Sequence, residues 1–273
     1  MSRGPEPVAL AVQELGAGPP LLVLHGLLGQ GRNWASLAKP LAARRRVLLV
    51  DLRNHGRSPH RPEMSYPAMA ADLAALLDRL GLARASFLGH SMGGKAAMVL
   101  ACTAPERVDR LVVVDVAPVD YGPRPDFEAY LRAMLAIDPA RFTRRAEVEA
   151  ALAEVVPDPR TRAFLASNLD TRDGRLAWLP NLGALLASLR ALAGFPADLP
   201  PAPAGLPVLA IRGGRSDYVR PDHEPAFRRL FPALRLETVT EAGHWVHADA
   251  PAAVLALLEG FLPGAEPSRI GLA

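Results

Sequence analysis

This 273-residue sequence has one cysteine, two lysines and few aromatic rings, and each shortage removes a class of explanation. With Cys102 alone, no internal disulfide can form and no cysteine pair exists to hold zinc. Cys102 falls among Met98, Val99 and Leu100 on a predicted helix, where a small buried hydrophobe is expected rather than a reactive thiol. The seven histidines lack paired spacing with cysteines or carboxylates, so no metal is expected and the chemistry read below requires no cofactor. Aromatics make up 5% of the chain, too few to interleave with a broad basic face, which argues against nucleic-acid binding. The formal charge of +3 is carried almost wholly by arginine, and its densest run, Arg44-Arg45-Arg46, reads as a solvated loop. No apolar run approaches the roughly 20 residues that span a bilayer. The first residues show no basic-then-apolar leader, and Pro5, Glu6 and Pro7 argue against a transit peptide, so a cytoplasmic location is expected. No sustained heptad points to a coiled coil, and the oligomeric state stays open.

What the chain does have is 50% hydrophobic side chains, enough for one substantial core and a small lid. Strand-like and helix-like segments alternate, which specifies a mostly parallel sheet covered on both faces. Leu73, Leu76, Leu77 and Leu80 repeat at helical spacing over 66–80, as do Val254, Leu257, Leu258 and Phe261 near the end. Both stripes are read as core facing the sheet.

The chemistry concentrates at Gly89-His90-Ser91-Met92-Gly93-Gly94, between a short apolar strand at 85–88 and a helix from Lys95. A serine forced into a sharp strand-to-helix turn has its hydroxyl lifted clear of the sheet, and only small neighbours leave it room. Glycine-x-serine-x-glycine alone occurs by chance; this context gives it weight. A serine nucleophile needs a base, an orienting acid and oxyanion donors. His244, in Gly243-His244-Trp245, follows a strand-like run at 234–239 and precedes a helix near Pro251, so it belongs on the same rim as Ser91. His90 is too close in sequence to serve Ser91, and His247 lies toward the helix, where a structural hydrogen bond is expected. His60 and His223 read as solvent-facing loop residues. The apolar run at 21–24 enters the turn His25-Gly26-Leu27-Leu28-Gly29, and the amides of Leu27 and Met92 are the expected oxyanion donors.

Two aspartates compete for the acid. Asp115 ends the β-branched run 111–114, and Asp217 lies in the loop after a strand at 208–211. Either could hold the imidazole tautomer that leaves Nε2 facing Ser91. The residues alone leave both open.

Taken together, the segments 25–29, 51–59, 89–95, 114–118 and 243–248 make the chain resemble the α/β-hydrolases. Within them it is similar to the small esterases grouped with α/β-hydrolase domain-containing protein 11 and the bacterial YbfF-type esterases. The resemblance runs from about Leu21 to Phe261. It implies the α/β-hydrolase fold, and it favours Asp115, because that branch places its acid after the strand that follows the nucleophile helix. A carboxylate at Asp217, where the broader superfamily has its acid, is a departure from the branch. Arg53, Asn54 and His55, in the loop 51–59, are read as locking that loop rather than touching substrate.

Between Pro118 and Pro203 the strand pattern stops. Apolar stripes at 127–134, 148–156 and 182–189 mark three helices. The expected organisation is a core at 1–117 and 204–273 with a helical lid at 118–203. The lid's inner face and the rim would line a substrate pocket, with His25, Met134, Trp178 and Trp245 as candidates. The expected function is a serine hydrolase cleaving esters or thioesters of small to medium acyl groups. The alternatives are haloperoxidase, lactonase or carbon–carbon hydrolase chemistry on the same scaffold. A receptor that has lost turnover is a further alternative.

Overall fold

The structure is a computed structural model and describes residues 5–262. Its first half runs β1 (Val12–Leu15), β2 (Pro20–Leu24), α1 (Ala35–Leu41), β3 (Arg46–Val50), α2 (Tyr66–Arg79), β4 (Ala85–His90), α3 (Met92–Thr103) and β5 (Val108–Val114). A long excursion follows: α4 (Pro125–Ala136), α5 (Arg145–Ala151), α6 (Pro159–Ala166), β6 (Leu169–Arg172), β7 (Arg175–Trp178) and α7 (Leu182–Ala193). The chain then returns through β8 (Val208–Gly213), α8 (Glu224–Leu230), β9 (Leu234–Val239), α9 (Val246–Asp249) and α10 (Pro251–Phe261).

Seven strands form one sheet in the order β1-β3-β2-β4-β5-β8-β9, parallel throughout except for the edge pair β1–β3. The central strands are apolar along their whole length because both faces are covered. Leu22, Leu24, Leu48 and Val50 join the core on one side, while Leu21, Val23, Val47 and Leu49 join the core on the other. Alternation along a strand dictates that split. Local signals set the helix ends: the Ser65 hydroxyl accepts from the Ala68 amide to open α2, and Gly81, at φ 65°, follows its close.

The strand order also places the site. β2 sits between β3 and β4, so the chain leaves β2 in one direction across the sheet and fills β4 and β5 on the other side. The crevice at the C-terminal ends of β2 and β4 is therefore the switch point where α/β sheets bind ligands. Leu24 pairs with Gly89 across it, bringing the turn after β2 alongside Ser91.

Several expectations need correction. The excursion is not all helical, because β6 and β7 pair as an antiparallel hairpin. Its turn is Asp173-Gly174, both with positive φ (49° and 76°), the conformation an Asp-Gly hairpin turn requires. The stripe at 148–156 is not one helix: α5 stops at Ala151, Val155 is exposed, and α6 starts separately behind the Asp158 cap. The arginine run is not a solvated loop either. Arg45 is buried, and Arg46 opens β3 with a bidentate pair to Glu14 on the neighbouring strand. Among the described residues no helix is long and apolar enough to cross a membrane.

Candidate active site

Ser91 stands between β4 and α3 with φ 50° and ψ −119°, a backbone geometry that costs on the order of 1–3 kcal/mol. The surroundings impose it. The Ser91 amide donates to the Val114 carbonyl at 3.0 Å, and its own carbonyl accepts the Lys95 amide at 3.0 Å to start α3. A side chain at Gly89 would lie 2.5 Å from the Gly93 carbonyl oxygen, and one at Gly93 would lie 2.6 Å from the His25 carbonyl oxygen. The elbow therefore closes only with glycine at both positions.

Asp115, immediately after β5, is buried and also has positive φ, 47°. Its carboxylate accepts from the Gly213 amide at 2.9 Å, from the Ser216 hydroxyl, and from His244 Nδ1 at 2.8 Å. Asp217 is exposed. Its neighbours Ser216 and Tyr218 face inward, one onto Asp115 and the other stacked flat on the His244 ring at 3.8 Å. Along this loop Asp217 points the other way, so of the two aspartates it is Asp115 that meets the imidazole.

The His244 loop is held from several sides. His90 Nε2 lies 2.9 Å from the His244 carbonyl, and Asp249 accepts the Gly243 amide at 2.9 Å. Asp249 is in turn paired with Arg160 of α6 at 2.7 Å. His247 makes no structural hydrogen bond through Nδ1 to the described residues. Instead it stacks on Trp34 at 4.0 Å. Burial lowers the pKa of His25 and of His247 to about 4 and holds His90 well below the usual imidazole range. These three rings stay neutral around His244 near pH 7.

The turn after β2 is braced by the loop 51–59. His55 Nε2 accepts the Leu28 amide at 3.1 Å, and His25 Nε2 accepts the Leu52 amide at 3.0 Å. Asn168, before β6, donates to the Leu28 carbonyl at 2.7 Å. Arg53 pairs bidentately with buried Asp72, at 2.6 and 2.8 Å. Met92 opens α3, so its amide precedes the first intrahelical bond. Among the described residues the Leu27 amide has no backbone acceptor.

A cleft of ≈ 590 Å³ lies above these groups, between α4 and α6. Ser91, His244, His25, Leu27 and Trp245 line it, joined by Phe127, Tyr130, Arg160 and Phe164 from the excursion. Met134 and Trp178 do not reach the cleft. Met134 is fully buried in the main core, and Trp178 packs on the small cluster under the hairpin, its indole N–H donating to the Ile137 carbonyl. Their stripes face inward because α4 and the hairpin bury against their neighbours, and the rim takes the next residues round. His223 is likewise not solvent-facing; it is buried against Tyr121. Ser216 and Tyr218 are the site residues that sequence reasoning missed. The signal was the loop 213–221 itself, read for its carboxylate alone.

The sequence matches the α/β hydrolase fold family over residues 19–251. The chain belongs to that family. This α/β-hydrolase is 44% identical over 250 residues to the mouse sn-1-specific diacylglycerol lipase ABHD11, covering 89% of this chain and 81% of the relative. It is 37% identical over 243 residues to esterase YbfF of Escherichia coli, covering 89% and 92%. Among solved structures, a marine microorganism esterase superposes with a TM-score of 0.90 at 34% identity, over 93% of this chain and 100% of that one.

Proposed function

We propose that this α/β-hydrolase is a serine esterase cleaving carboxylic esters or thioesters of small to medium acyl groups through an acyl-enzyme on Ser91. The observation that carries the reading is the 2.8 Å contact between His244 Nδ1 and the buried Asp115 carboxylate, beside a strained serine in the same cleft. Esterase and lipase names among the relatives support the class of reaction.

In this reading Asp115 accepts the Nδ1 proton of His244, which leaves Nε2 free to take the Ser91 proton. Ser91 Oγ bonds to the ester carbonyl carbon, and the oxyanion is received by the Leu27 and Met92 amides. The tetrahedral intermediate collapses, the carbon–oxygen or carbon–sulfur bond breaks, and His244 returns the proton to the leaving atom. Water, deprotonated by the same imidazole, then releases the acid and restores the serine. The excursion at 118–203 acts as the lid that covers the cleft. The test is Ser91→Ala on p-nitrophenyl esters: hydrolysis should vanish while the melting temperature stays near that of the parent, and retained turnover would overturn the reading.

A further inference from the structure

Lys95 lies one helical turn past Ser91, buried, with no carboxylate within ion-pair distance among the described residues. Burial lowers its pKa to about 7, and three carbonyls stand where the three protons of an ammonium would point. Nζ donates to the Val119 carbonyl at 2.9 Å, Ala193 at 2.8 Å and Gly194 at 2.7 Å. Val119 is where the excursion leaves the sheet, and Ala193 and Gly194 are where α7 ends. A compact ammonium meets three converging carbonyls as a planar guanidinium would not, which accounts for one of just two lysines in a chain rich in arginine. The rings of Tyr121 and Tyr66, 4.6 and 5.6 Å from Nζ, cover the charge. Tyr66 adds a fourth tie, its hydroxyl donating to the Leu192 carbonyl at 2.6 Å. The last carbonyls of α7, which a helix leaves without partners, are thus bonded by the core beneath the nucleophile.

Lys95, Tyr66, Leu192 and Ala193 also wall a second, small pocket of ≈ 50 Å³, which Ser91 lines as well. Leu27 and Met92 line it together with Tyr121. His244 lines the large cleft instead. Under the function proposed above, on which this inference rests, His244 hands its proton to the leaving atom. The leaving group therefore departs through the large cleft, and the acyl group points into the small pocket. This pocket is far smaller than the ≈ 590 Å³ cleft, so it has less room for an acyl chain.

We propose that Lys95 is a positioning residue: by tying both ends of the excursion to the nucleophile helix it closes this pocket and restricts the enzyme to short acyl groups on large leaving groups. Lys95→Met keeps most of the side chain's length and removes every donor, so the end of α7 is left with only the Tyr66 hydroxyl and Tyr121 amide ties and the pocket can open. Tyr66→Phe removes only the Leu192 tie and serves where Lys95→Met does not fold.

The experiment is a series of p-nitrophenyl acetate, butyrate and octanoate on the full chain. A pocket that cannot take extra methylenes should cost about tenfold or more in kcat/KM between butyrate and octanoate in the parent protein. Lys95→Met should narrow that ratio, mainly through a lower KM for octanoate, and Tyr66→Phe should narrow it less. A merely structural lysine would lower all three esters together. Octanoate turned over as fast as butyrate by the parent overturns the inference, as does an unchanged ratio in the folded variants. Should no ester be cleaved, a fluorophosphonate probe separates the cases: a labelled Ser91 sinks this inference alone, and an unlabelled one sinks the esterase reading with it.

Discussion

Asp115→Asn tests the proton relay at its most constrained point. The carboxylate accepts from the Gly213 amide, the Ser216 hydroxyl and His244 Nδ1, so an amide cannot satisfy all three. With the carboxamide oxygen of the variant on Gly213, its amino group would face His244 and donate to Nδ1. The imidazole proton then moves to Nε2, the nitrogen that accepts from Ser91 in the proposed mechanism. In triads of this type the wrong tautomer lowers kcat about 10⁴-fold with the geometry otherwise intact. That is roughly 5–6 kcal/mol of transition-state stabilisation. KM should change little, because the interaction lost is one made in the transition state. The partner variant, Asp217→Asn, alters an exposed side chain and should stay within about threefold of the parent, as surface substitutions do. Steady-state hydrolysis of a p-nitrophenyl ester by both purified variants decides the matter. A collapse with Asp217→Asn and normal turnover with Asp115→Asn would refute the argument.

Acid should destabilise the fold well before the carboxylates titrate. Burial lowers His25 and His247 to about 4 and His55 to about 3, so between pH 6.5 and 4 the unfolded chain binds protons that the folded one refuses. Each such histidine removes about 1.4 kcal/mol of stability per pH unit in that window, and the loss grows as pH falls. Calorimetric melting temperatures should therefore drop steeply from pH 7 to pH 5, and a flat profile would contradict the burial of these rings. Breaking the buried Arg53–Asp72 pair by Asp72→Asn should cost about 3–5 kcal/mol in denaturant unfolding, because Arg53 keeps its charge without its partner. A cost under about 1 kcal/mol would mean that solvent reaches the pair. By contrast, Arg160→Ala removes a mostly exposed ion-pair partner of Asp249 and should cost no more than about 1 kcal/mol of stability. A loss of several kcal/mol in that variant would show that the excursion depends on this pair.

The parts of this molecule that were legible in the sequence are those fixed by neighbours in the chain. Gly89, Ser91 and Gly93 announce the elbow because the turn tolerates only those sizes, and the runs at 21–24 and 111–114 announce buried parallel strands because they are apolar without alternation. Asp115 against Asp217 was not legible from the residues, since both follow strands and both sit at the rim. Which one meets His244 depends on the direction of the 213–221 loop, a tertiary property. Met134 and Trp178 failed as pocket candidates for a related reason. An amphipathic stripe says that a face is buried, but not whether the opposing surface is a cleft or another helix. The hairpin β6–β7 could have been read from Asp173-Gly174, a strong turn signal overlooked inside a segment taken to be helical. Lys95 gives no local sign of its role, because its three carbonyl partners come from residues 24 and about 100 positions away.

The most direct test of the account is to trap the covalent intermediate. Rapid quench of the enzyme with excess p-nitrophenyl butyrate, followed by intact-mass and peptide mass spectrometry, should reveal one butyryl group per chain on the peptide carrying Ser91, gained in a burst and lost on standing. Turnover of the ester without any such adduct on Ser91, or with the adduct on another residue, would contradict the nucleophile on which the account rests.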